Sequence, residues 1–134
     1  MNREGWLKQL EDWRRDAGLG RPTWYMLDAE HRVVAAEDWL EGARWCENGD
    51  NRRVAESCIG DIYDVSTVFL GIDHRHFGVG PPIVFETMVF KANDSVAGNR
   101  ESLDDYTERY CTWDDAVAGH ERITAQVRAD LEKP

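Results

Sequence analysis

Two segments constrain this chain more than any others: Tyr63 to Ile72 (YDVSTVFLGI) and Ile83 to Phe90 (IVFETMVF). Both are dense in β-branched and aromatic residues. Both are apolar on each alternating face, the pattern of central strands covered on both sides. Between them runs Asp73-His74-Arg75-His76-Phe77-Gly78-Val79-Gly80-Pro81-Pro82. This stretch is too long for a tight hairpin and too polar for a core, so it is a loop with room for function. Gly78-x-Gly80-Pro81-Pro82 lacks the Lys-Ser/Thr of a phosphate loop and leads into a strand, not a helix. It reads as turn chemistry, with two prolines stiffening the entry to the second strand.

The remaining elements arrange themselves around this pair. Trp6, Leu10, Trp13 and Ala17 share one helical face over residues 5–17, and Gly18-Leu19-Gly20-Arg21-Pro22 ends that helix. Thr23 to Leu27 reads as a strand, Asp28 to His31 as a turn, and Arg32 to Val34 as a returning strand. A helix is expected from Ala36 to Glu47, with Trp39, Ala43 and Cys46 on one stripe, and it ends at Asn48-Gly49-Asp50-Asn51. Arg53 to Cys58 reads as a strand, Lys91 to Asp104 as polar turns, and Tyr106 to Cys111 as a last strand. Thr112 is placed to cap a final helix, with Asp114 and Asp115 in its first turn, where carboxylates suit the helix dipole. Its apolar stripe is Trp113, Ala116, His120, Ile123, Val127 and Leu131. The expected class is α+β: a mainly antiparallel sheet of about five strands with two or three packed helices. Residues 1–22 form an N-terminal helix and linker that read as an appendage to a single domain over 23–134.

Charge narrows the classes of partner. The 134 residues carry a formal net charge of −10. Residues 1–22 are near neutral, and the acidity belongs to the body and the C-terminal third. Such a balance disfavours direct binding to nucleic acid phosphates. It suits either simple solubility or a basic partner. No apolar run approaches the roughly 20 residues of a membrane span, and the charged start does not read as a signal peptide. The expected location is therefore the cytoplasm. Cys46, Cys58 and Cys111 are too few and too scattered for a disulfide framework or a zinc site, and read as reduced thiols. No cofactor and no metal site is expected.

Several residues are candidates for chemistry or contact. Glu86 lies mid-strand among apolar neighbours; it is either a buried acid with a partner or a pocket carboxylate. His120 falls in the apolar stripe of the last helix, as a satisfied core histidine or as one that pairs with Glu86. Cys111, ahead of a helix N-terminus, is the one plausible nucleophile, as a dyad with His120 or simply as a packed thiol. Asp73, His74 and His76 have the residue types of a metal cluster, but also those of a solvated or partner-contacting loop. Arg109, Tyr110 and Trp113 surround a strand–helix junction, where they either pack or clamp a ligand. No catalytic residue is assigned.

Ser66 to His74, Gly80-Pro81-Pro82, Phe85 to Phe90, Tyr110 to Trp113 and Ala118-Gly119-His120-Glu121 occur in this order. The pattern resembles a family of small proteins encoded in bacteriophages and prophages, over residues 23–131. What the resemblance implies is context, a phage accessory protein acting inside its bacterial host. It supplies no catalytic residues. Three functions are carried forward. The first is a non-catalytic protein that binds and modulates or inhibits a host protein complex, for example in an anti-defence role. The second is a small-ligand protein that sequesters a nucleotide signal. The third is a small hydrolase using Glu86 and His120. The Trp6/Trp13 face must pack on the domain, on a second copy to give a homo-oligomer, or on a partner.

Overall fold

A short hairpin opens the described part of the chain: β1 (Tyr25–Leu27) pairs antiparallel with β2 (Val33–Ala35). Helices α1 (Trp39–Glu47) and α2 (Gly49–Arg52) follow, then strands β3 (Arg53–Ile59), β4 (Tyr63–Phe69), β5 (Phe85–Ala92) and β6 (Arg100–Ser102). After a single 3-10 turn come β7 (Glu108–Tyr110) and the long helix α3 (Trp113–Glu132). This is a computed structural model, and it describes residues 5, 8, 9, 23–75, 78–92 and 100–132. The class is α+β. Residues 5, 8 and 9 of the expected first helix are helical, and the rest of that segment lies outside the described residues, as does His76.

The main sheet has the order β3-β4-β5, all antiparallel, with β6 and β7 both on the outer edge of β5. The register aligns Ser57 with Val65, Val65 with Val89, Thr67 with Thr87, and Phe69 with Phe85. Paired residues share a face, so these side chains form one surface. Helix α3 packs across β3, β4, β5 and β7. It supplies Ala116, His120, Ile123 and Val127, each buried. Val65, Thr67, Phe69, Phe85, Thr87 and Val89 are all fully buried beneath it.

The expectation that β4 and β5 are covered on both sides is corrected here. Every second residue, including Ser66, Val68, Glu86, Met88 and Phe90, is only half-buried. The chain places its long helix on one face, and the side chains of the other face keep partial exposure. The strands are also shorter than the apolar runs. Gly71 takes φ +85°, which turns the chain out of β4, and Leu70 N donates to Val84 O at 2.6 Å. Two short elements were hidden in polar sequence: α2, and β6 with the 3-10 turn Asp104–Tyr106. Leu131, assigned to the core stripe, is 47% exposed because the last turn of α3 runs past the packed face.

Local chemistry fixes the helix starts. Asp38 accepts from Glu41 N at 2.8 Å and Asn48 from Asp50 N at 3.0 Å. Thr112 accepts from Asp115 N at 3.1 Å, the cap expected for the last helix. Gly119 marks the closest approach of α3 to the sheet. A Cβ added there would meet the Tyr110 hydroxyl oxygen at 2.2 Å and its ring at 2.3 Å. Alanine normally gains about 1 kcal/mol over glycine inside a helix. Overpacking of a fixed aromatic costs about 1–3 kcal/mol or more. Gly119→Ala is therefore expected to destabilise by roughly 1–2 kcal/mol net. Chemical denaturation checks this, and a stabilised variant would show that α3 does not sit this close.

Candidate functional site

A cleft of about 540 Å³ opens where three pieces of chain meet. The β1–β2 hairpin gives Tyr25, Glu30, His31, Arg32 and Val33; the central loop gives Pro81 and Pro82; and the start of α3 gives Cys111 to Asp114. Its floor is aromatic and apolar, with carboxylates of Glu30 and Asp114 among its lining. A concave apolar surface with a few polar groups is the ordinary form of a binding site.

Each wall is held by identifiable bonds. The hairpin hangs on the body through Tyr25 N to Gly71 O, and its open end is closed by Ala36 N to Trp24 O, both 2.8 Å. Its turn is built around Asp28, whose carboxylate accepts from Glu30 N at 2.9 Å, Arg32 N at 2.8 Å and Arg32 Nε at 2.9 Å. The backbone N–H of Arg32 leads the set of groups that hold the Asp28 carboxyl below its ordinary value. His31 closes this turn at φ +61°, a left-handed conformation uncommon for a residue with a side chain. Its ring lies flat on Trp113, with centroids 3.8 Å apart and planes at 13°. A second, smaller cleft of about 260 Å³ lies on the other side, lined in part by Asp28, Trp45, Asp50 and Arg53. The His31–Trp113 stack lines both clefts.

The loop wall is equally constrained. Asp73 Oδ1 accepts from Arg75 N and Ile83 N, each at 2.8 Å. Slight desolvation opposes ionisation of the exposed Asp73, but these two backbone donors, with the charges of Arg75 and His74 nearby, outweigh it and keep the carboxyl below its ordinary value. Arg75 donates to Pro81 O through Nε at 3.2 Å and Nη2 at 3.1 Å. Asp73 thus staples the two ends of the loop, and His74 joins it through its backbone N–H to Ile83 O at 2.8 Å. Among the described residues no group of three His, Cys, Asp or Glu side chains is placed to hold a metal ion.

The residues singled out from sequence do not converge. Glu86 pairs with Arg109, whose Nε donates to Glu86 Oε2 at 2.8 Å. Both lie in register on the sheet face opposite α3. His120 points into the other face: Nε2 lies 2.8 Å from Ser57 Oγ and Nδ1 lies 2.8 Å from Thr67 Oγ1. Of the two readings offered for His120, the satisfied core histidine is the one present, and the pairing with Glu86 is absent. Glu86 and Thr87 are neighbours in a strand and face opposite ways, and His120 is on the side of Thr87. Cys111 points to Pro81 O at 3.7 Å, and both ring nitrogens of His120 are engaged elsewhere, so no Cys111–His120 dyad forms. Of the nominated contact residues that are described, only Trp113 lines this cleft, beside Cys111.

The sequence reading missed Tyr25 and His31 as site residues. Tyr25 was visible as an aromatic in a strand, but nothing in the sequence brought a turn histidine to a helix start more than 80 positions away. It also missed the buried polar chain under α3. Thr67 Oγ1 and Thr87 Oγ1 are 2.6 Å apart, and Tyr110 donates to Thr87 Oγ1 at 3.0 Å. Burial pushes the Tyr110 hydroxyl up and the His120 imidazole down from their ordinary values, so both stay neutral near pH 7. A neutral imidazole has one donor and one acceptor nitrogen, and the tautomer that accepts from Thr67 at Nδ1 and donates to Ser57 from Nε2 continues the donor sequence that runs from Tyr110 through Thr87 and Thr67.

No family model matches this sequence, and neither the curated proteins nor the solved structures contain a match to it. Among the described residues no helix is long and apolar enough to cross a membrane.

Proposed function

We propose that this is a non-catalytic binding protein that docks on a protein partner through the cleft between the hairpin, the Pro81-Pro82 loop and the start of α3. The observation that carries the reading is the composition of that cleft. It presents Tyr25, Trp113 and two prolines as a floor, with Glu30 and Asp114 beside them. Grooves that take extended peptide segments use such aromatic and proline surfaces. The net charge of −10 adds long-range attraction for a basic partner. Glu86, His120 and Asp73, the strongest acid–base candidates, are each engaged in bonds that hold the fold. The resemblance to phage-encoded proteins supports a host protein complex as the target and the host cytoplasm as the location, with inhibition of a defence or nucleic-acid-handling complex as the natural form.

The stacked His31–Trp113 pair favours one second reading, a nucleotide-sequestering protein whose base takes the place of the imidazole. A ligand that binds only the folded state raises the melting temperature. Under the first reading a panel of nucleotides leaves it unchanged. A clear rise with any of them overturns the first reading in favour of the second.

The direct test uses the immobilised full chain and bacterial host lysate. Wild type is expected to retain a stoichiometric protein that Tyr25→Ala and Glu30→Gln/Asp114→Asn variants, still folded by circular dichroism, retain at least about fivefold less. Equal capture by the variants, or no capture by any form, overturns the reading.

A further inference from the structure

We infer that the face of Trp113 now covered by His31 is a socket for an arginine guanidinium of the partner, and that His31 is the ring which that guanidinium displaces. This rests on the cleft being the docking surface. Three observations support it.

The first is shape. The imidazole lies parallel to the indole at 3.8 Å, the geometry that a planar guanidinium adopts on tryptophan. Phe85 meets Trp113 edge-on at 6.4 Å and 79°, which braces the indole from the core side and leaves its stacking face toward the clefts.

The second is freedom. The backbone at His31 is pinned, with its N–H on Asp28 O at 3.0 Å and the turn closed by Asp28 N to Arg32 O at 3.0 Å. A φ of +61° is kept only because those bonds determine it. The residue is exposed, and its ring turns about χ1 without moving the backbone. A swing of that one ring opens the indole face and joins the two clefts that it now divides.

The third is charge. Asp28, Glu30, Asp50 and Asp114 line the joined space, against Arg32 and Arg53. Both arginines are already committed: Arg32 to Asp28 and Glu30, and Arg53 to Asp50 and Glu56. The space is net negative. It repels a phosphate and favours a cation over the indole.

Calorimetry with the full chain tests this, using acetyl-Pro-Arg-Pro-amide and the same tripeptide with citrulline in place of arginine. Citrulline keeps the shape and removes the charge. The arginine peptide is expected to bind saturably, with the citrulline peptide about tenfold weaker. His31→Ala, which removes the competing ring, is expected to tighten binding of the arginine peptide about threefold or more. Glu30→Gln/Asp114→Asn is expected to weaken it about fivefold with the melting temperature unchanged. Equal affinity for the two peptides, or unchanged or weaker binding by His31→Ala, overturns the socket. Because lysate capture is measured separately, a docking cleft without an arginine socket gives variant-sensitive capture together with equal peptide affinities. A failed docking reading gives variant-insensitive capture whatever the peptides do.

Discussion

Phe85→Ala is expected to remove about 4 kcal/mol of stability, the largest single loss in this fold. Phe85 is fully buried where β5 begins, opposite Tyr110 and Phe69. Its ring meets Phe69 at 5.3 Å and 63° and Trp113 at 6.4 Å and 79°, both edge-to-face. Truncation loses the transfer free energy of the ring, leaves a cavity that rigid β-sheet neighbours cannot close, and forfeits two aromatic contacts. Domains of this size have roughly 5–15 kcal/mol in total, so the variant should sit near the edge of folding. The melting temperature is expected to fall by about 15 °C. Phe85→Leu should recover more than half of the loss. Urea denaturation decides, and a loss below about 2 kcal/mol would show that the site has repacked. Because the same ring braces Trp113, the alanine variant should also loosen the cleft floor under conditions where it is still folded.

His120→Leu is the second large effect. Leucine fills much of the imidazole volume, so the cavity contribution is small. The loss comes from hydroxyls left behind: Ser57 loses its partner and Thr67 keeps only Thr87. An unsatisfied buried hydroxyl costs about 1–3 kcal/mol, and since Ser57 is half-buried and Thr67 keeps Thr87, a loss of about 1–3 kcal/mol is expected here. A loss under about 1 kcal/mol would mean that water replaces the imidazole. The same residue gives a pH signature. Burial first, and little else, pushes the folded pKa of His120 below its ordinary value of 6.5. As pH falls through that value the unfolded chain takes up a proton that the folded chain refuses. The contribution is therefore full above pH 6.5 and is lost as pH falls from there toward the depressed folded value. Stability measured at a series of pH values should fall more steeply on the acid side in wild type than in His120→Leu. Parallel curves would show that His120 takes up its proton equally in the folded and the unfolded chain, and would overturn the burial argument.

How much of this was legible in the sequence depended on whether the cause was local. The cap at Thr112 and the stripe of α3 follow from spacing within one helix, and both are present, the stripe as far as Val127. The two apolar runs revealed their strands but not the one-sided burial, since a run that alternates Phe and Met with Val and Thr looks covered on both faces. Glu86 was correctly odd, and its partner is one strand away. Arg109 was nominated for a ligand, while the register of β5 with β7 makes it the answer to Glu86. His120 was placed in the core stripe, but its partners Ser57 and Thr67 come from strands 63 and 53 positions earlier. The cleft was the least legible feature. It is assembled from a turn, a loop and a helix start, and its defining contact joins His31 to Trp113, which no periodicity relates.

The division of the outer edge of β5 between two short strands also bears on aggregation. Phe85 to Phe90 is the kind of apolar, β-prone segment that pairs with copies of itself when its edge is open. Here β4 occupies one side along its length, while β7 and β6 cover the two ends of the other. The 3-10 turn between them folds back through Leu103 N to Val89 O at 2.8 Å, which engages the backbone in the gap. The margins of the sheet among the described residues are β3 on one side and the short strands β6 and β7 on the other; β3 carries Arg53 and Glu56, and β7 carries Glu108 and Arg109, charges that discourage a foreign strand from adding there. The most adhesive stretch of this chain is thus enclosed, and the strands outside it are short or carry charge.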